Sequence, residues 1–135
     1  MYIELHVPDF EIAKNFYSKL GFEVVWEKQP ADELRKWYLV MRRNKDIIGF
    51  WPGNKEVWTQ SYFKYFTKET KRGYGVEIVI EEKDIDNFYE QVNKFAKIVG
   101  KLQVKHWGLK DFRIEDPFGF YIRFSEPHDI LNMNK

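Results

Sequence analysis

Cysteine is absent from the sequence, which excludes disulfides, thiolate zinc sites, iron–sulfur clusters and a cysteine nucleophile. No apolar run approaches the length of a membrane span, and Met1-Tyr2-Ile3-Glu4 does not open a secretory signal. An excess of charge of one sign is missing too: 22 Lys and Arg stand against 21 Asp and Glu, a formal charge of +1. Nucleic acid and membrane surfaces are therefore not expected as partners. Ser18, Ser61 and Ser125 lack a Gly-x-Ser-x-Gly context, and Gly73-Tyr74-Gly75 precedes a strand where a phosphate loop would precede a helix. The expectation is a soluble, cytoplasmic protein whose 135 residues form one domain, 1–135.

Aromatic residues, by contrast, are abundant: 12 Phe, 8 Tyr and 5 Trp make up 19% of the chain. A small domain cannot bury that many polar-edged rings, so the surplus is expected around a concave ligand site or a subunit interface. Ser61 to Lys68 interleaves aromatics with lysine, a pattern also used for stacking single-stranded nucleic acid. Without net positive charge, these rings are assigned to subunit contacts or a pocket wall, with Trp37, Trp51 and Trp107.

The order of elements repeats. Ile3, Leu5 and Val7 alternate with Tyr2, Glu4 and His6 as a strand, Pro8 stops it, and Asp9 is a candidate helix N-cap. Phe10, Ala13, Phe16, Tyr17 and Leu20 then recur at helical spacing, closed by Gly21. Val76–Ile80, Asp84 and the stripe Ile85, Phe88, Tyr89, Val92 and Phe95 repeat the scheme; Asn15-Phe16-Tyr17 returns as Asn87-Phe88-Tyr89, 72 positions on. Strands are predicted over 22–26, 35–41 and 46–51 in the first half, and 98–106, 111–115 and 120–124 in the second. Asp116-Pro117-Phe118-Gly119 joins the last two as a turn. The halves, about 1–68 and 69–135, each read βαβββ, an α+β class, with 54–70 as an irregular or partly helical connector.

Asp9 to Glu23 (DFEIAKNFYSKLGFE) and Asp116 to Phe124 (DPFGFYIRF) resemble the opening and closing signatures of the vicinal oxygen chelate superfamily. This superfamily holds glyoxalase I, the extradiol dioxygenases and the bleomycin resistance proteins. Trp107 to Phe112 is most similar to the bleomycin resistance branch. The resemblance implies two modules forming a curved mixed sheet, helices on its outer face and a ligand cup on its concave face, often completed by a homodimer. It also implies four metal-ligand positions, which fall at Tyr2, at or near Gly49, and at Glu77 and Arg123. Glutamate suits a divalent ion, but glycine has no side chain and arginine is permanently cationic. No metal or other cofactor is therefore expected.

Strand alternation selects the side chains on the polar face: Tyr2, Glu4 and His6; Glu77, Val79 and Glu81; Asp111, Arg113 and Glu115; Tyr121 and Arg123. Glu77 and Arg123 are expected to form a buried ion pair where a metal would sit. His6 is a candidate general base or ligand donor; His106 and His128 are assigned no role. The expected function is metal-free binding of a small aromatic or cationic molecule by Tyr2, Glu4, His6, Trp37, Trp51, Glu77, Trp107, Arg113, Tyr121 and Arg123. Two alternatives stay open. One is a metal-dependent or acid–base lyase, isomerase or dioxygenase of the same superfamily; the other is a dimeric interaction module without a small ligand.

Overall fold

The computed structural model describes residues 1–28, 38–53, 63–67 and 69–132. Trp37, the start of the strand expected over 35–41, and most of the 54–70 connector lie outside the described residues. The chain divides into two compact units, Met1–Thr70 and Lys71–Lys135.

In the first unit, β1 (Ile3–Val7) ends at Pro8, which has no backbone N–H to continue a ladder. Asp9 then caps α1 (Phe10–Lys19): its carboxylate accepts from the Ile12 backbone N–H at 3.0 Å. The helix stops at Leu20, and Gly21 turns the chain at φ +97, a conformation glycine adopts without steric cost. β2 (Glu23–Lys28), β3 (Tyr38–Arg43) and β4 (Asp46–Pro52) follow. The sheet order is β1-β4-β3-β2, with β1 parallel to β4 and the other pairs antiparallel. One face is sealed: Leu5, Val7, Leu39, Met41, Ile48 and Phe50 are buried with Phe10, Ala13, Phe16, Tyr17 and Leu20 of the helix segment. Tyr17 packs edge-on against Phe50 at 5.2 Å between ring centroids.

The second unit repeats the plan with β5 (Glu77–Glu81), α2 (Ile85–Val92), β6 (Lys97–Val104), β7 (Lys110–Glu115) and β8 (Tyr121–Ser125). Its order is β5-β8-β7-β6, with β5 parallel to β8. Phe112 stacks on Phe124 at 5.2 Å, and Phe88 and Tyr89 of α2 cover them at 4.8 and 5.0 Å. In the 116–119 turn, the buried Asp116 carboxylate accepts from the N–H groups of Phe118 and Phe120 at 2.9 and 2.8 Å. Gly119 there has φ +100. The fold is therefore α+β, two four-stranded mixed sheets with one helix packed on each.

Three local expectations need correction. Asp84 stands at the N-cap position of α2 but makes no capping bond to the backbone; its carboxylate takes the Asn87 side-chain amide instead, at 3.1 Å. Phe95 lies beyond the end of α2, although its spacing continues the helical stripe. His106 falls outside β6, in the turn that leads to β7. No helix among the described residues is long and apolar enough to cross a membrane.

Arg43 is a charged residue on the sealed face of β3, 8% exposed. Its Nε donates to the Leu20 carbonyl at 3.0 Å, one of the carbonyls a helix leaves unpaired at its C-terminus, where a cation also suits the dipole. Arg43→Met keeps most of the apolar stem while removing this bond. The variant is expected to lose about 2 kcal/mol of unfolding free energy, the range for a charged hydrogen bond. Urea denaturation with an unchanged m-value is the check; an unaltered midpoint would mean the contact contributes nothing.

Candidate functional site

Because the helices seal one face of each sheet, the residues of opposite parity form an open face. In the first unit, β1 presents Glu4 and His6, opposite Gly49 and Trp51 of β4, and Gly49 in turn faces Val40 of β3. On β2, Trp26 and Lys28 stand opposite Val40 and Tyr38. The Tyr38 ring lies 5.6 Å from that of Trp26 and 6.1 Å from that of Trp51. Tyr2, Trp26 and Trp51 remain 59%, 48% and 37% exposed. These rings gather on one sheet face and stay open to solvent, unlike the single apolar residues scattered over an ordinary surface.

Tyr38 is the hub of this face. Its hydroxyl donates to Glu4 Oε2 at 2.7 Å, and Glu4 Oε1 stands 3.2 Å from His6 Nε2. The His6 ring also meets Phe63 edge-on at 4.9 Å. Burial, with the Tyr2 hydroxyl and the Glu4 carboxylate alongside, pushes the Tyr38 phenol well above its ordinary value. Gly49 explains how the ring fits. A Cβ at that position would overlap the Tyr38 hydroxyl, would lie 2.9 Å from Tyr38 Cζ, and would crowd Tyr2 Cε2 at 3.3 Å. The space that a metal-ligating side chain at 49 would need is thus filled by Tyr38.

On the second unit the open face is polar and charged. Glu77 stands opposite Tyr121, Arg123 opposite both Val79 and Arg113, and Asp111 opposite Ser125. The expected Glu77–Arg123 pair exists only as a long contact of 3.8 Å; the short bond, 2.5 Å, joins Glu77 to Arg113 Nε. Register alone does not select this partner: Arg123 is offset from Glu77 by two residues across the β5–β8 ladder, and Arg113, opposite Arg123, lies one strand further on and reaches Glu77 across β8. The pair is also half-exposed where a buried one was expected, with Glu77 at 32% and Arg123 at 23%. Trp107 occupies the β6–β7 turn against His106, at 4.5 Å, and is not on a strand face. Tyr121 is on the open face and 45% exposed. Among the described residues, no three His, Asp or Glu side chains converge as a metal ion would require.

Trp26 and Tyr38 were not among the expected site residues. The signal was present: with Leu39 and Met41 as core, alternation puts Tyr38 and Val40 on the other face. Nothing in the sequence marked Asp111 as fully buried, because its neighbours on that face are all charged or polar.

The arrangement of two βαβββ units with polar inner-strand positions defines a class, and sequence comparison agrees with it. The model of the Glyoxalase/Bleomycin resistance protein/Dioxygenase superfamily matches residues 1–124, and the chain belongs to that superfamily. Solved structures share the fold. TioX from Micromonospora sp. ML1 is 20% identical, with 96% of each chain covered and a TM-score of 0.65. A bleomycin-binding protein complexed with bleomycin is 18% identical, covering 95% of this chain and 98% of that one, with a TM-score of 0.62. A bleomycin resistance determinant encoded on the transposon Tn5 is 19% identical over 96% and 98%, with a TM-score of 0.61. No curated protein matches the sequence.

Two measurements check the Tyr38 hub. Gly49→Ala is expected to cost about 1–3 kcal/mol through overpacking, and less in a Tyr38→Leu background where the clashing hydroxyl is gone; equal costs in both backgrounds would dismiss the contact. The pH dependence has a definite sign. A phenol whose folded pKa is raised contributes stability that is fully present below its unfolded value, near 10, and is lost as pH rises above it. The stability gap between the native protein and Tyr38→Phe should therefore stay constant from about pH 7 to 9 and narrow above about pH 10. A gap that widens with alkali would contradict the assignment.

Proposed function

We propose that this protein is a metal-independent binding protein that holds a small aromatic or cationic molecule without transforming it. The observation that carries the proposal is the first unit's open face, where three exposed rings surround a Tyr38 whose hydroxyl takes the room of a ligating side chain. Planar molecules gain most from such rings, and a cation gains further from ring faces beside Glu4. Tyr2, Glu4, His6 and Trp51 contact the molecule, together with Trp26 and Tyr38. Glu77, Arg113, Tyr121 and Arg123 belong to the binding residues of the second unit, and the two units act as one domain. A fold shared with a bleomycin-binding protein supports a holding role.

The four superfamily metal positions do not suit a divalent ion. Tyr2 offers only a phenol oxygen, Gly49 has neither a side chain nor room for one, Glu77 is engaged by Arg113, and Arg123 repels cations. His6 beside Glu4 keeps the imidazole oriented and serves as a hydrogen-bond partner for the bound molecule. The protein acts as a homodimer. The edge strand β2 supports this, with Val24 and Val25 exposed at 46% and 50% where a second copy could cover them.

Ethidium, a planar aromatic cation, is a direct probe. Saturable binding is expected to quench tryptophan fluorescence, with Trp26→Ala and Trp51→Ala each weakening it about tenfold, as loss of a central aromatic anchor does. Undiminished binding in both variants, or no saturable binding at all, would refute the aromatic-face proposal.

A further inference from the structure

The second unit's open face carries a charge cluster whose donors the fold consumes only in part. Arg113 and Arg123 stand directly opposite each other on neighbouring antiparallel strands, a like-charge pairing that destabilises a sheet. Gly100, opposite Arg113 on β6, keeps the arginine stem clear: a Cβ there would lie 3.3 Å from Arg113 Cβ. Beneath them Asp111 is 0% exposed, and neither of its carboxylate oxygens has a hydrogen bond among the described residues.

Three cationic heads face that carboxylate: Arg113 at 3.6 Å, Lys105 at 3.7 Å and Arg123 at 3.9 Å. Each distance is short enough for charge attraction and too long for a hydrogen bond. Asp111 therefore gathers the cations without taking their N–H groups. Glu77 takes one, the Arg113 Nε, while the Arg123 Nε has no hydrogen-bond partner among the described residues. Around Asp111 and Glu77, then, three cations meet two carboxylates through only one short bond. A sheet that only had to hold together would gain nothing from a buried carboxylate left unbonded, since such burial costs stability.

We infer that Arg113, Arg123 and Lys105 form an oxyanion-binding site, with Asp111 as the buried counter-charge that positions them. The ligand group is a carboxylate or a phosphate, bound through the planar fork that guanidinium groups offer to both. The site lies wholly within the second unit and does not depend on the aromatic face of the first.

The test is a titration of the full-length native protein with inorganic phosphate and, separately, with benzoate, following the arginine Nε–H signals by NMR. The Arg113 and Arg123 signals should shift and saturate with at least one probe, while Arg42, on the first unit, stays fixed. Saturation by phosphate alone identifies a phosphate site, and by benzoate alone a carboxylate site. Arg123→Gln should weaken the binding about tenfold, the loss expected for one charge-assisted contact. Shifts that never saturate, or that move Arg42 equally, would overturn the inference, as would unchanged affinity in a folded Arg123→Gln protein.

Discussion

A β-strand sends alternate side chains to opposite faces, so a helix that seals one face decides what the other must carry. Every feature of this protein with chemical interest follows from that constraint. With α1 over Leu5, Val7, Leu39, Met41, Ile48 and Phe50, the residues between them have only the open face left. The first unit puts rings there and the second puts charges. The same packing plan thus yields two surfaces of different chemistry, because the sealed positions are alike in the two units and the open ones are free to differ.

The open positions are not independent of each other. On the first unit, the missing side chain at Gly49 lets the Tyr38 ring lie across β4, and that brings its hydroxyl to Glu4. Glu4 in turn stands beside His6, so one glycine on β4 makes room for a chain of two polar contacts, Tyr38 to Glu4 and Glu4 to His6. On the second unit Gly100 plays a comparable part, leaving space beside Arg113 for the arginine to lie flat against β6. In both units a glycine facing the open side makes room for a large neighbour.

Local signals in the sequence carried most of the fold. Asp9 before the stripe of Phe10 to Leu20, Gly21 after it, and Asp116 with Gly119 at the last turn each act through the backbone within a few residues, and the structure keeps all of them. Asp84 matched the same pattern but is occupied by Asn87, a competition between side chains that residue type does not reveal. The site was less legible because its contacts depend on register between strands far apart in sequence. Glu77 and Arg123 share a face, yet the short bond goes to Arg113, one strand further away, reaching across β8. Likewise Asp111 is buried with the charged heads of Lys105, Arg113 and Arg123 at 3.7, 3.6 and 3.9 Å, a convergence that alternation alone cannot express.

The most direct test of metal-independent binding is a native mass spectrum of the untagged protein purified without chelator and then exposed to zinc or nickel. The expected result is a protein free of bound divalent ion, as a dimer, with any retained adduct organic in mass. One divalent ion per chain, surviving buffer exchange, would contradict the proposal and return the four superfamily positions to a ligand role.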